Sequence, residues 1–418
     1  MTDGLHICLV AGETSGDYLG SKLMHELRES APNARFSGVG GTLMQAEGLE
    51  SLFPMSDLSV MGLMEVLPRI PLLKRRIAQT VRHIRQNRPD IVVTIDSPDF
   101  CFRVARALHA PPERSFGDII SAYARSDDDD KREFSVPRMI HYVAPTVWAW
   151  RPERAKKMAA LYDGVLCLFP FEPPWFEAEG MRAAFIGHPV LEGGYNKANG
   201  LNLRKELSIP KDVKTLGVLF GSRMGELNRT GPALREAANK YAQENPDTHI
   251  LSLTLPHLER EVRNLLQGIP CPVHIVSNQA RKWECFAAMT AALATSGTVG
   301  MELAVADVPH AIAYRANFIT AQIVKRKITI RHAHLVNILF ENEVVPEFIQ
   351  EKCRAPAIVD TLKSLMNDDV ARARQKIIFE KFREHISPPN GASSSQLAAQ
   401  FIMNGKRSSK MKQAKAAD

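Results

Sequence analysis

A carboxylate closing one apolar run and an arginine in a glycine-serine turn are the side chains of this sequence best suited to chemistry. Ile95-Asp96-Ser97-Pro98-Asp99-Phe100 follows the strand-like run Ile91–Ile95, and ligands of open α/β sheets bind at the carboxyl ends of the strands. A carboxylate there can take the proton of an incoming hydroxyl. The competing reading is a helix N-cap, which suits Asp99 better and leaves both roles open for Asp96. Gly221-Ser222-Arg223-Met224-Gly225-Glu226 follows a second apolar run. Its small residues admit phosphate oxygens to the backbone, and its guanidinium offers planar paired donors. Ser296-Gly297-Thr298-Val299-Gly300-Met301-Glu302 repeats that pattern. Glu302, inside the helix it opens, is placed to accept hydrogen bonds from a ribose.

These groups need elements to hold them. Ile7–Ala11 runs into Gly12-Glu13-Thr14-Ser15-Gly16-Asp17, and Leu216–Phe220 runs into the Gly221 turn. A strand that ends in such a turn leaves free N–H groups at a helix start, where partial positive charge attracts anions. Glu13, Ser15, Gly16 and Asp17 are therefore candidate ligand contacts of the first half. Further strand signals fall at Met139–Val143, Val165–Phe169 and Phe185–Ile186, then at Ile250–Leu255, Val273–Val276, Ala291–Ala294 and Ala311–Tyr314. Strands separated by helical stretches imply parallel sheets covered on both faces. The helix carrying Leu73, Ile77, Val81 and Ile84 shows the spacing of an amphipathic cover. The expected fold class is thus α/β, two Rossmann-like parallel-sheet lobes with a cleft between them.

At 418 residues the chain exceeds one ordinary core. The division expected is residues 1–190, an acceptor- and membrane-facing lobe, then 191–360, a nucleotide-binding lobe. Helices over 361–403 should pack back on the first lobe. Residues 110–137, with the run Asp127–Asp130, read as an acidic solvated insertion, and a metal site there is rejected. Net charge is +7, and more than half of it lies in the basic tail 404–418, which holds Lys406, Arg407, Lys410, Lys412 and Lys415 against Asp418. No basic stripe interleaved with aromatics runs through the body, so nucleic acid is not an expected partner. The six cysteines are scattered and never form a CxxC, as suits reduced thiols in a cytosolic protein. No apolar run reaches the roughly 18 residues that span a bilayer. The segment from Ser59 to Arg76 is nevertheless apolar between its Gly and Pro residues and ends in cations. Val60, Met61, Leu63, Met64, Val66 and Leu67 are its candidate lipid contacts. Trp148 and Trp150 follow a proline-containing strand end; packing is their simplest role, and Arg151, Arg154, Lys156 and Lys157 read as a solvated helix face.

Taken in order, these stretches resemble the lipid-A-disaccharide synthase family of inverting GT-B glycosyltransferases. The carrying matches are Ala11-Gly12-Glu13-Thr14-Ser15-Gly16-Asp17, Val60-Met61-Gly62 with Glu65-Val66-Leu67, and Ile95–Phe100. They continue through Val147-Trp148-Ala149-Trp150, Pro170-Phe171-Glu172, Gly187-His188-Pro189, Gly221-Ser222-Arg223 and Ser296-Gly297-Thr298. The resemblance implies transfer of 2,3-diacylglucosamine from its UDP derivative to 2,3-diacylglucosamine 1-phosphate, with a β-1,6 linkage. It implies Asp96 as general base and Gly221, Ser222 and Arg223 on the leaving diphosphate. Ser296, Gly297, Thr298 and Glu302 would hold phosphate and ribose, with Asn337 and Gln350 bordering the pocket. Phe220 and Val336 stand where the family usually has proline. No cofactor and no metal are expected. The implied partners are the acylated UDP-glucosamine, the acylated glucosamine phosphate, an inner-leaflet membrane surface and, as an oligomeric option, a second copy of the chain. The implied location is cytoplasmic and peripheral to that membrane. Alternatives are another UDP-N-acetylglucosamine transferase or epimerase of the same fold, or a nucleotide-binding scaffold without turnover. A dinucleotide oxidoreductase fits poorly, because the first turn lacks GxGxxG.

Overall fold

The computed structural model describes residues 4–58, 67–110, 134–316 and 330–405. The chain divides into two compact units, Met1–Pro189 with Pro388–Asp418, and Val190–Ser387. Each is built on a six-stranded, all-parallel sheet.

The first sheet comprises β1 (His6–Ala11), β2 (Arg35–Val39), β3 (Ile91–Ile95), β4 (Arg138–Tyr142), β5 (Gly164–Cys167) and β6 (Arg182–Phe185). Their order is β2-β1-β3-β4-β5-β6. β1, β3 and β5 are buried along their whole length, which is why they read as continuous apolar runs rather than alternating ones. β2 is an edge strand with the sequence RFSGV, whose polar half lies toward solvent; that composition hid it from the sequence pattern. Helices α1 (Thr14–Ser30), α2 (Thr42–Ala46), α3 (Ile70–Asn87), α4 (Pro98–His109) and α5 (Glu153–Ala159) belong to this unit. α3 buries Ile77, Val81 and Ile84 on one face, the stripe expected from spacing.

The second sheet comprises β7 (Thr215–Leu219), β8 (His249–Leu253), β9 (Val273–Val276), β10 (Ala291–Thr295), β11 (His310–Tyr314) and β12 (Glu347–Ile349), in the order β12-β11-β10-β7-β8-β9. Its helices include α6 (Met224–Glu244), α7 (Lys282–Ala287), α8 (Thr298–Val305), α9 (Leu335–Phe340), α10 (Ala355–Asn367) and α11 (Asp369–Ile386). The last helix, α12 (Ser394–Met403), returns to pack on α1 of the first unit.

The helical block expected over 361–403 is thus split. α10 and α11 stay with the second unit, where α11 packs on α8 and α9, and only the chain from Pro388 joins the first. Periodicity shows which face of a helix is buried but not which sheet buries it. The change of unit falls at Pro388-Pro389, where a helix cannot continue.

Both sheets contain a point where the chain reverses its direction of travel across the sheet, between β1 and β3 and between β7 and β10. In open α/β sheets, ligand crevices form there, beyond the strands' carboxyl ends. The four motifs singled out for chemistry leave those four strands.

Candidate active site

In the first unit the turns after β1 and β3 meet. A Cβ on Gly12 would lie 2.8 Å from the Ser97 Cβ, so only glycine allows this approach. Asp96 and Ser97 both adopt left-handed backbone, φ 55° and 43°. Non-glycine residues hold such conformations at a cost of about 1–3 kcal/mol each, and such strain clusters at functional sites. Here it turns the Asp96 side chain away from a helix-capping role. One carboxylate oxygen accepts the adjacent Ser97 N–H at 2.9 Å and the other accepts the Ser15 hydroxyl at 3.1 Å. Ser15 itself is exposed in the first turn of α1. Asp99 is separate from this pair, pointing to solvent and pairing with Arg154 at 3.3 Å.

The remaining candidates after β1 divide. Glu13 takes the N-cap position of α1. Gly16 is buried in the first turn. Asp17 faces inward, and its carboxylate accepts the N–H groups of Gly41, Leu43 and Met44 at 2.8–3.0 Å. It holds the start of α2, so its role is structural; a carboxylate near a glycine-rich turn carries no local mark that tells ligand from cap. Val60, Met61, Leu63, Met64 and Val66 lie outside the described residues, as do 111–133 of the acidic insertion and the tail from Lys406. Leu67 opens a short 3-10 turn, Leu67–Arg69.

In the second unit the turns after β7 and β10 line one cavity of about 800 Å³, the size of a nucleotide-bearing ligand site. Gly221, Ser222, Arg223, Ser296, Gly297, Thr298, Glu302 and Gln350 all contribute to its wall. Gly221 has φ 90°, and a Cβ there would meet Glu226 Oε2 at 2.6 Å. Glu226, third residue of α6, accepts the Ser222 N–H at 3.2 Å and Arg223 Nη1 at 2.8 Å. The Arg223 guanidinium is half-exposed and so is oriented without being occluded. α6 and α8 both begin without a side-chain cap, leaving helix starts for an anion.

Two further side chains complete this wall. Glu302 is not alone: Lys282 Nζ lies 2.6 Å from its Oε1, so a ribose would meet an ion pair rather than a bare carboxylate. Glu226 is the orienting group of Arg223; its place three residues after the cap position, where acidic residues favour helix starts, was the available signal. Asn337 is corrected. It is fully buried away from the cavity, donating to the Val345 carbonyl and to Glu347 Oε1 at 2.7 Å each and accepting the N–H groups of Val344 and Val345 at 2.9 Å. It pins the loop that precedes β12, whose next residue, Gln350, does reach the cavity.

Behind α8, His310 and His334 form a buried pair with Nε2–Nε2 distance 2.9 Å. His334 Nδ1 accepts the Val336 N–H at the start of α9, and His310 Nδ1 donates to the Val308 carbonyl. The shared proton therefore lies on His334 Nε2. Burial lowers both groups, His310 to about 4. In the first unit, buried Glu172 accepts the Trp148 indole N–H and the N–H groups of Leu168 and Phe169; burial pushes its carboxyl up to about 7.

Two Rossmann-like units with ligand turns at both switch points define the GT-B class of glycosyltransferases and epimerases. The calicheamicin glycosyltransferase CalG4 superposes with a TM-score of 0.56 at 15% identity, covering 97% of this chain and 100% of that one. The UDP-GlcNAc 2-epimerase from Neisseria meningitidis, bound to UDP-GlcNAc, gives 0.59 at 11% identity, covering 96% and 100%. A family model described as lipid-A-disaccharide synthetase matches residues 7–114 and 129–401. The lipid-A-disaccharide synthase of Rhodospirillum centenum is 42% identical over 372 residues, 89% of this chain and 87% of the relative. The chain belongs to the lipid-A-disaccharide synthetase family.

Proposed function

We propose that this chain transfers 2,3-diacylglucosamine from UDP-2,3-diacylglucosamine to the 6-hydroxyl of 2,3-diacylglucosamine 1-phosphate, releasing UDP. The observation that carries the reading is the second unit's cavity, where Arg223, two glycine-serine/threonine turns and two uncapped helix starts converge. That donor set suits a diphosphate leaving group. Asp96 accepts the proton of the acceptor hydroxyl as its oxygen forms the bond to C1 of the donor sugar. The C1–oxygen bond to the diphosphate breaks with inversion, and the electron pair leaves on UDP. Arg223 and the helix starts lower the barrier by meeting the charge that develops on the departing oxygen. Gln350 and the Lys282–Glu302 pair line the same wall and are assigned to the nucleoside end.

The same donors make a metal unnecessary for charge neutralisation, so transfer is proposed to be metal-independent. Among the described residues no helix is long and apolar enough to cross a membrane. With acylated substrates, the enzyme is proposed to work from a membrane surface, using the apolar sequence from Val60 to Leu67 as lipid contact. The test is incubation with the acylated UDP-sugar and the acylated monosaccharide phosphate. A product with the mass of the disaccharide phosphate, together with UDP, supports the assignment; UDP release without a disaccharide overturns it.

A further inference from the structure

The loop that leaves β4 carries two tryptophans in different surroundings. Trp148 is 8% exposed, anchored by its indole N–H on Glu172 at 3.1 Å and by an edge-on contact with Phe171 at 5.1 Å. Trp150 is half-buried, and its ring carries two guanidiniums: Arg151 Cζ lies 4.1 Å from the ring centroid and Arg154 Cζ 5.3 Å. Two cations on one ring repel unless an anion joins them. Asp99 supplies a single carboxylate, 84% exposed and 3.3 Å from Arg154. Among the described residues no carboxylate pairs with Arg151, which is exposed and held in left-handed backbone at φ 56°. Among the described residues the cluster therefore keeps an unneutralised, aromatic-backed guanidinium.

Its position matters as much as its charge. β4 lies beside β3, and the Asp96 N–H donates to the Tyr142 carbonyl at 2.9 Å where both strands end. Asp99 stands three residues beyond Asp96, so its ion pair with Arg154 joins α4, which follows the Asp96 turn, to α5, which follows the tryptophan loop. A group bound by the cluster would lie on the same sheet edge as the carboxylate.

We propose that Arg151 and Arg154, stacked on Trp150, bind a phosphomonoester: the 1-phosphate of the sugar acceptor. The inference rests on the proposed function, since it assigns a part of that acceptor. The guanidinium fork matches phosphate oxygens in pairs, and stacking on the indole pre-orders it before the ligand arrives. Arg154 exchanges its exposed carboxylate partner for a dianion, and Arg151 shares that dianion. The pair thereby fixes the phosphate end of the acceptor while its hydroxyl end is presented to Asp96.

The experiment compares wild type, Arg151→Gln, Arg151→Lys and Arg154→Gln with the acceptor bearing or lacking its phosphate. For the phosphorylated acceptor, KM should rise about tenfold or more in either Gln variant, with kcat and the donor KM changed by less than about threefold. Arg151→Lys should recover part of the loss. The preference of wild type for the phosphorylated acceptor should shrink by the same factor in the Gln variants. UDP affinity and the thermal midpoint report that the variants are folded. An equal KM change with both acceptors, or no change with either, overturns the assignment. So does loss of binding to phosphatidylglycerol vesicles with the acceptor preference intact, which would give the cluster to a lipid headgroup. A wild type that makes no disaccharide from either acceptor instead removes the proposed function, a result visible before any variant is read.

Discussion

The two units meet the same topological problem with different chemistry. At the β1/β3 switch point, a single carboxylate is held by a hydroxyl and a strained backbone pair. At the β7/β10 switch point, backbone turns and a guanidinium surround an 800 Å³ cavity. A base must present one oxygen at one place, so it is side-chain work and tolerates little displacement. A diphosphate spreads its charge over many oxygens, so in the proposed reaction helix starts and glycine turns would share it, with Arg223 adding the concentrated charge. The comparison also separates what the two sites can lose. One depends on a single atom; the other has several donors in parallel.

The sharpest way to break that contrast is Asp96→Asn. Turnover should fall by about 10²–10⁴-fold, the range for a general base, while calorimetric UDP affinity is retained. An equal loss of UDP affinity would refute the division of labour. Arg223→Ala comes next: kcat/KM should drop about 10²-fold or more, as for one lost donor on a developing oxyanion, and UDP binding should weaken with it. Asn337→Ala sharpens the line between site and scaffold. Losing a fully buried, four-bonded amide should cost roughly 2–3 kcal/mol of stability, seen as a lower thermal midpoint, with kcat largely kept in the folded enzyme.

Two buried groups, one in each unit, should respond to pH with opposite sign, a smaller effect. Glu172 is raised from 4.5 to about 7. Its contribution to first-unit stability is present below about 4.5 and lost as pH rises through about 7. His310 is lowered from 6.5 to about 4. Its contribution to the second unit is present above about 6.5 and lost as pH falls toward 4. His141 and His188, lowered to about 3 by burial in the first unit, act in the sense of His310. Amide exchange of that unit at pH 5 and 7.5 should therefore show Glu172→Gln losing more protection on acidification than wild type. The smallest expected effect is that of EDTA, which should leave turnover unchanged; inhibition reversed by a divalent cation would contradict cationic side-chain neutralisation.

The fold was legible wherever short-range pattern carries the information. Ile91–Ile95, buried along its whole length, read at its true bounds, as did the short apolar edge strand Val273–Val276. Edge strands β2 and β12 did not: β2 mixes Arg and Ser into its five residues, and β12 has only three. The turns after β1, β3, β7 and β10 were visible through residue types that only a strand-to-helix turn requires. The roles inside those turns were less visible. Asp17 and Asp96 are both aspartates beside glycine-rich turns, yet one caps a helix and the other stays on the ligand edge.

What this sequence determined alone was local: apolar runs of strand length, glycine where backbones approach or take positive φ, and the order of motifs that marks the family. Tertiary structure decided every pairing between distant residues. Lys282 meets Glu302, Asp17 meets the start of α2, Asn337 turns inward, and Trp148 is anchored while Trp150 supports two guanidiniums. The reason is physical. Backbone preference and side-chain periodicity act over a few residues, whereas the partner of a charged or amide group is chosen by which strands lie side by side.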